Sequence, residues 1–233
     1  MMRISEIYPS VQGEGPNVGA PTTFVRFGGC NLRCPGWPCD TPHAIFADQF
    51  RKEWKKYSVE DIITEVGMHT PRHVCLTGGE PMLQPSPDIV NLVEGLTADG
   101  RVVEMFSNGT LEYPTEILDD CSIVLDWKLP GSGEWRVGDS VRMDNFRTIV
   151  RNGWGHSIKF TIADQTDFDK AVEIYRTYML KHAYRLNIYA GVVWGKEMTN
   201  QQLVDLLLKH DLFEWKLNVQ VHNHIWDRTQ RGI

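Results

Sequence analysis

The sequence contains no apolar run that approaches the roughly 20 residues needed to cross a bilayer. Its first residues, MMRISEIYPSVQGEG, also lack the apolar core of a secretion signal. We therefore expect a cytoplasmic protein with no membrane partner. Positive charge is not in excess either, because the formal net charge is −6. Without a long-range positive field, nucleic acid is not an expected partner.

Cysteine is scarce and unevenly distributed. The chain has five cysteines, an odd number, and a reducing compartment argues against a framework of disulfides. Three of them, Cys30, Cys34 and Cys39, fall within the ten residues CNLRCPGWPC. Cys75 and Cys121 lie in or beside strand patterns, so we predict that they are core residues.

Strand patterns alternate with helical patterns along the chain, which predicts a parallel sheet with crossover helices. The predicted strands are Thr22–Phe27, His73–Thr77, Val102–Phe106, Ser122–Trp127, Ser157–Ile162, Leu186–Val193 and Leu217–Val221. The predicted helices are Ser58–Met68, Asp88–Leu96, Asp167 to about His182 and Asn200–Lys209. The length suits one domain spanning 1–233. Residues 129–155 are rich in Gly, Asp and Arg and are predicted to form a surface insertion.

Glycine-rich and polar motifs follow several of the predicted strands. They are Gly28-Gly29-Cys30, Gly78-Gly79-Glu80-Pro81, Ser107-Asn108-Gly109, and Asp126 with Lys128. Because the carboxyl ends of parallel strands share one edge of a sheet, these motifs predict a single site at that edge.

The three clustered cysteines predict an iron–sulfur cluster. Thiolates are soft ligands that suit iron–sulfur clusters or zinc. A cubane cluster normally takes four thiolates, so three local ones leave one iron open to another ligand. A structural zinc site needs four protein ligands, and His43 is a candidate for the fourth. Three ordinary buried or free cysteines are the remaining alternative.

A three-cysteine loop after the first predicted strand, with GGEP after the second, resembles the radical S-adenosylmethionine (radical SAM) enzymes. The resemblance implies a full or partial parallel (βα) barrel, here of about six to seven strands. It also implies that SAM chelates the open iron and is cleaved, by an electron from the reduced cluster, to a 5′-deoxyadenosyl radical. One departure is the spacing, since four residues separate Cys34 from Cys39 where two are common.

Further motifs resemble those of the 7-carboxy-7-deazaguanine synthase family. They are SEIYPSVQGEGPNVGAPTTFVRFGGCNLRC, CDT, LTGGEPMLQ and the closing QVHNHIWDRTQRGI. The resemblance implies ring contraction of 6-carboxy-5,6,7,8-tetrahydropterin to 7-carboxy-7-deazaguanine with loss of ammonia, in queuosine-type biosynthesis. It implies three cofactors, a 4Fe-4S cluster, SAM and Mg²⁺, together with an electron donor such as flavodoxin or ferredoxin. A homodimer is also implied.

The same resemblance implies roles for individual residues, with no catalytic residue beyond the cofactor-held radical. The cluster ligands are Cys30, Cys34 and Cys39, and the magnesium ligand is Thr41, whose hydroxyl is a hard oxygen donor. The implied substrate contacts are Val11, Gln12, Gly13, Glu14, Arg26, Thr77 and Ile233. The implied SAM contacts are Trp37, Pro38, Asp40, Gly78, Gly79, Glu80, Ser107, Asn108, Asp126 and Lys128.

Some of these assignments also have a direct chemical reason. The planar fork of Arg26 suits a carboxylate, and the carboxylate of Glu14 can accept two N–H donors from a guanine-like edge. The purely structural alternatives are a surface salt bridge for Arg26, a turn for the QGEG string and a helix or turn cap for Thr41.

Three other functions remain open at this point. A glycyl-radical activase would share the cluster and GGEP but would bind a protein partner. A non-catalytic regulatory protein on the same scaffold would hold no cluster. A structural zinc module would bind zinc tightly and have no affinity for SAM.

Overall fold

The computed structural model describes residues 1–153, 155–227 and 230–232, and these form one sheet of nine strands. The strands are β1 Met2–Val11, β2 Pro21–Phe27, β3 Lys55–Tyr57, β4 His73–Gly78, β5 Val102–Ser107, β6 Cys121–Trp127, β7 Ser157–Ile162, β8 Asn187–Val192 and β9 Trp215–Leu217. Their order across the sheet is β3-β1-β2-β4-β5-β6-β7-β8-β9. Strands β2 and β4 to β9 run parallel, whereas β1 pairs antiparallel with both β2 and β3.

Eight α-helices lie among the described residues, and all but the last of them lie in the connections between the parallel strands. The helices are α1 Pro42–Ile45, α2 Ala47–Phe50, α3 Val59–Gly67, α4 Ser86–Ala98, α5 Asp139–Asn152, α6 Gln165–Ile174, α7 Asn200–Lys209 and α8 His222–Ile225. The longer ones are amphipathic: on α3, for example, Ile62 and Val66 are fully buried while Glu60 and Asp61 face solvent. Ser58 begins this helix with a reciprocal capping box to Asp61.

Side chains alternate between the two faces of the sheet, as the pleat requires. On β7, Ile158, Phe160 and Ile162 join the core beneath the helices, while Lys159 and Thr161 point into a cavity on the opposite face. Strands β4 to β6 follow the same rule. Every second residue of the central parallel strands therefore faces the cavity and forms its base.

The expected α/β fold with a partial parallel barrel is confirmed, since the sheet is parallel over most of its width and its edge strands β3 and β9 do not pair among the described residues. The seven predicted strands correspond to β2 and β4 to β9, although the last is Trp215–Leu217, not Leu217–Val221. Strands β1 and β3 were not predicted. The PSVQGEG string at the end of β1 has the composition of a loop, and β3 is only three residues long.

Two further predictions differ in detail from the structure. The helix predicted from Asp167 to about His182 ends as an α-helix at Ile174 and continues as a π turn and a 3₁₀ turn to Arg185. Residues 129–155, predicted as a surface insertion, include α5, which connects β6 to β7 and buries Phe146 and Ile149. The division into a single domain stays a prediction. No helix within the described ranges is long and apolar enough to cross a membrane.

Candidate active site

A cavity of about 740 Å³ opens at the carboxyl ends of the parallel strands. Nearly all of the predicted site residues line it: Val11, Gln12, Gly13, Glu14, Arg26, Cys30, Cys34, Trp37, Pro38, Cys39, Asp40, Thr41, Thr77, Gly78, Gly79, Ser107, Asn108, Asp126 and Lys128. Glu80 is not among the lining residues. The predicted contact at Ile233 lies outside the described residues.

The cysteine loop leaves the end of β2 and crosses the mouth of the cavity. Cys30 and Cys34 are half-buried and Cys39 is exposed, and none forms a disulfide. The backbone N–H of Leu32 lies 3.4 Å from the sulfur of Cys30. Burial raises the pKa of the Cys30 thiol to about 12 and also raises that of Cys34. Because metal binds the thiolate form, loading a cluster here would release protons.

The backbone of this loop is held by residues from the segment after β6. Cys34 has a positive φ of 44°, which is strained for a residue with a side chain. The carboxylate of Glu134 accepts hydrogen bonds from the N–H groups of Arg33 and Cys34. The N–H of Gly36 donates to the carbonyl of Ser132 at 3.2 Å. A part of the chain to which the sequence assigned no role therefore supports the cysteine loop.

The Gly-Gly-Glu-Pro loop packs directly against the start of the cysteine loop. A Cβ on Gly79 would lie 1.9 Å from the carbonyl oxygen of Gly29, and Gly78 has a φ of +122°, so neither position accepts a side chain. The N–H of Glu80 donates to the same Gly29 carbonyl at 2.8 Å. These contacts fix the two loops to each other.

Glu80 turns away from the cavity that the sequence predicted it to line. Its side chain is buried, and burial raises its pKa. Its oxygens accept from the N–H of Met82 at 3.0 Å, the hydroxyl of Ser107 at 2.8 Å and the N–H of Asn108 at 2.8 Å. Since protein donors occupy the carboxylate, Glu80 positions Ser107 and Asn108, which do line the cavity.

Glu14, in the loop after β1, forms a buried ion pair with Lys159 of β7. Its second oxygen accepts from the side-chain amide of Gln220. Burial alone would raise the pKa of Glu14, but the ammonium of Lys159, together with the Gln220 amide and His222, lowers it. Burial lowers the pKa of Lys159, and the Glu14 and Asp126 carboxylates reverse this and raise it. Both groups are therefore charged at neutral pH.

Asp126 and Lys128 form a second charged pair at the end of β6, with a distance of 3.0 Å. Lys159 approaches the same Asp126 oxygen at 3.9 Å. The other oxygen, Oδ1, is buried and has no hydrogen-bond partner. The indole Nε1 of Trp37 is also buried without a partner, while its ring lies 5.2 Å from the Lys128 ammonium. Unpartnered buried polar atoms in a cavity mark places where a ligand can bond.

Arg26 lines the cavity beside two side chains of β1. Its guanidinium donates to the Tyr8 hydroxyl at 2.6 Å and to the Glu6 carboxylate at 3.3 Å. The ring of His43 lies 3.3 Å from the same Glu6 oxygen. Burial opposes ionisation of Glu6, yet His43 and Arg26, with Arg231, lower its pKa to about 2.

Thr41 lies between the cysteine loop and the end of β4. Its hydroxyl is 3.7 Å from the sulfur of Cys39 and 3.4 Å from the carbonyl oxygen of Gly78. Although Thr41 occupies the N-cap position of α1, its side chain makes no capping hydrogen bond. The alternative of an ordinary helix cap is therefore not realised.

Several residues in or beneath the cavity were not predicted. The most important are Lys159 and Gln220, which line the cavity, and Glu104, which is buried beneath it. Lys159 and Glu104 each occupy a charged position inside an otherwise apolar strand, in SIKFTI and VVEMFS. That signal was present in the sequence, because a buried strand rarely carries a charge without a partner. Gln220 lies in an irregular segment after β9 and begins the closing QVHNHIWDRTQRGI motif, which was the signal that could have found it.

The residues at the cavity mouth fit a cluster with one open iron better than a zinc ion. Within residues 1–153, 155–227 and 230–232, no group of three or more His, Cys, Asp or Glu side chains is placed to hold a single metal ion. In a cubane each thiolate binds a different iron, so its ligands need not surround one point. His43, the candidate fourth zinc ligand, lies against Glu6.

Comparison with known proteins agrees with this geometry. A family model described as a 4Fe-4S single cluster domain matches residues 11–132. The 7-carboxy-7-deazaguanine synthase of Methanospirillum hungatei is 30% identical over 96% of this chain and 85% of its own length. The enzymes of the same name from Clostridium acetobutylicum and Koribacter versatilis are 31% and 32% identical. The match to the Clostridium enzyme covers 99% of both chains, and the match to the Koribacter enzyme covers 100% of both.

A solved structure shares the fold. The crystal structure of QueE from Escherichia coli superposes with a TM-score of 0.72 at 23% sequence identity, covering 94% of this chain and 93% of that chain.

Proposed function

The chain belongs to the family of 7-carboxy-7-deazaguanine synthases, and from that premise we propose how its cavity residues share the reaction. It is a radical SAM lyase that contracts 6-carboxy-5,6,7,8-tetrahydropterin to 7-carboxy-7-deazaguanine with loss of ammonia, a step in queuosine biosynthesis. Family membership along the whole chain favours this activity over a glycyl-radical activase.

The mouth of the cavity is the cofactor end. Cys30, Cys34 and Cys39 hold the 4Fe-4S cluster, which together with SAM supplies the radical chemistry when both are bound. Trp37 and Asp126 offer an unpartnered N–H and an unpartnered carboxylate oxygen beside the cysteine loop. We assign these atoms to SAM, whose adenine can stack on the indole and whose hydroxyl or amino groups can donate to the carboxylate.

The part of the cavity lined by Arg26 and Glu14 binds the substrate. Arg26 presents a guanidinium that is held in place by Glu6 and Tyr8, and a planar guanidinium suits the pterin carboxylate. Glu14 is charged and buried, so its oxygens can accept N–H groups from the guanine-like edge of the ring. Thr77, at the end of β4, lines the same cavity.

Thr41 is proposed as the protein ligand of Mg²⁺. The support is its hydroxyl, which is not used as a helix cap and lies in the cavity wall, 3.7 Å from the sulfur of Cys39. Magnesium keeps several waters and takes oxygens from its substrate, so one protein hydroxyl is a sufficient anchor. The reductant is proposed to be a flavodoxin or ferredoxin, and the enzyme a cytoplasmic homodimer that binds neither nucleic acid nor membrane.

One observation carries the assignment of roles. The cysteine loop and the loop from Val11 to Glu14 are separate in sequence, yet both line the same cavity together with the ends of the parallel strands. A cofactor held by the first loop and a flat acid held by the second would therefore be in contact.

The test is anaerobic reconstitution with iron and sulfide, followed by turnover with SAM, Mg²⁺, a reductant and the carboxy-pterin. The wild-type enzyme should bind about four irons per chain and release 7-carboxy-7-deazaguanine. Cys34→Ala should lose both properties, whereas Cys121→Ala, a buried cysteine outside the cavity, should keep them. A Cys34→Ala variant that keeps its iron and its turnover would refute the cluster assignment.

A further inference from the structure

A carboxylate on the central strand β5 is buried beneath the substrate loop, and the roles proposed above do not use it. Glu104 is 1% exposed and lies on the cavity face of the strand, between the core residues Val103 and Met105. Burying a carboxylate is costly unless its oxygens are hydrogen-bonded. The partners of Glu104 therefore indicate what it does.

Both oxygens of Glu104 accept hydrogen bonds from the loop that follows β1. The side-chain amide of Gln12 donates to Oε1, and that of Asn17 donates to Oε2 at 2.7 Å. These two residues are the ends of the segment Gln12–Asn17, which contains Glu14. One carboxylate thus fastens both ends of the substrate loop to the sheet.

The bond to Gln12 continues to Glu14 itself. The side-chain oxygen of Gln12 lies 3.3 Å from the backbone N–H of Glu14 and accepts from it. The next N–H, that of Gly15, donates to the side chain of Asn218 at 2.9 Å. Both polar ends of the Gln12 side chain are therefore engaged by the protein, which suits a residue that orders the loop.

We propose that Glu104 is a positioning residue that holds the Gln12–Asn17 loop, and hence the Glu14 carboxylate, in the geometry that binds the pterin. The inference rests on the proposed function, because Glu14 is a substrate contact only in that reading. Glu104 itself does not touch the substrate. Gln12 is part of the same hydrogen-bond network and affects substrate binding mainly by holding the backbone of Glu14.

The two hydrogen bonds require a group that accepts on both oxygens. An ionised carboxylate does so, whereas a glutamine amide accepts on one side only and donates on the other. Burial raises the pKa of Glu104, and the donors Gln12 and Asn17 act in the opposite direction. A Glu104→Gln substitution would therefore set an N–H₂ group against the N–H₂ group of Asn17.

Because two N–H₂ groups cannot bond to each other, the role of Glu104 can be tested by exchanging the hydrogen-bond donor and acceptor between positions 104 and 17. In Glu104→Gln the loop loses one anchor, and the KM for the carboxy-pterin should rise about tenfold or more. In Asn17→Asp two carboxylates face each other, and KM should rise by a similar factor. The double variant Glu104→Gln/Asn17→Asp restores the bond with donor and acceptor exchanged. Its KM should return to within about threefold of wild type.

Two further readouts separate positioning from general loss of structure. Iron content and SAM affinity should stay at the wild-type value in all three variants, because the cysteine loop is not touched. Hydrogen exchange of the backbone amides in residues 12–17 should be faster in each single variant and slow again in the double variant. Glu65→Gln is the control, since Glu65 accepts from the Tyr57 hydroxyl outside the cavity. Its KM and loop exchange should match wild type.

The outcomes are distinct. If wild-type enzyme converts the carboxy-pterin but Glu104→Gln has an unchanged KM, or the double variant is no better than the single ones, the role of Glu104 is refuted and the proposed function stands. If wild-type enzyme does not convert the pterin, the proposed function fails. The hydrogen-exchange rates of residues 12–17 then still decide whether Glu104 anchors the loop.

Discussion

Lys159 on strand β7 and Glu14 in the loop after β1 form a buried ion pair across 145 positions of sequence. Each group keeps the other charged in surroundings that by themselves favour the neutral forms. Because Lys159 also lies 3.9 Å from Asp126, it connects the acid proposed to bind the substrate with the acid proposed to bind SAM. A single lysine therefore links the proposed substrate-binding and SAM-binding carboxylates.

Replacing Lys159 with Met should impair substrate binding more than cluster binding. The substitution leaves the Glu14 carboxylate buried without its ammonium partner, and removing one member of a buried pair costs on the order of 3–5 kcal/mol. We expect the KM for the carboxy-pterin to rise by about tenfold or more while the iron content stays constant.

The matched control for this prediction is Lys170→Met. Lys170 forms a surface ion pair with Glu173 at 2.8 Å on helix α6, and exposed pairs of this kind contribute about 0–1 kcal/mol. Steady-state kinetics of the control should match wild type. An unchanged KM in Lys159→Met would show that Glu14 does not need its cation to bind the substrate.

Asp126→Asn should weaken the binding of SAM. The change keeps the shape of the side chain but removes the charge that Lys128 and Lys159 neutralise, and it places an amide where Oδ1 has no protein partner. Loss of a charged hydrogen bond corresponds to about 1.5–3 kcal/mol, so the Kd for SAM should rise by roughly tenfold or more. Calorimetric titration of the cluster-loaded enzyme measures it. A normal Kd with a raised KM for the pterin would place Asp126 at the substrate instead.

Glu134→Ala should make the cluster easier to lose. The carboxylate of Glu134 accepts from the N–H groups of Arg33 and Cys34, and it offsets the strained backbone of Cys34. Without it, iron should be removed by a chelator several-fold faster than from wild type. Glu197→Ala, at an exposed position outside the cavity, should leave the rate unchanged. Equal rates in all three proteins would contradict a supporting role for the segment after β6.

The stability that Glu6 provides should depend on pH in the acid range. Its pKa is about 2 in the folded protein and near 4.5 when unperturbed, so the folded state favours the charged form. This contribution is fully present above about pH 4.5 and is lost as the pH falls through 2. Urea unfolding should show wild type more stable than Glu6→Gln at pH 7, with the difference shrinking between pH 4.5 and 2. A difference that is constant over this range would mean that Glu6 acts through packing and not through charge.

The sequence was sufficient to predict the parts of the protein whose chemistry depends on neighbouring residues. The spacing of Cys30, Cys34 and Cys39 predicted an iron–sulfur site, and the family model for a 4Fe-4S cluster domain covers that stretch. Alternating strand and helix patterns predicted the parallel sheet. Because the carboxyl ends of parallel strands share one edge, the motifs after these strands predicted where the cavity lies. These inferences succeed because ligand type, hydrophobic period and strand direction are readable within short windows.

The pairing of residues that are distant in sequence became visible in the folded protein. Folding turned Glu80 away from the cavity, because Ser107 and Asn108 arrive from the next strand and bond its carboxylate. It brought Lys159 to Glu14 and Glu104 to Asn17, pairs that no local pattern connects. The physical reason is that a charge inside a buried strand requires a partner, but the identity of that partner depends on which loops the folded sheet brings above it.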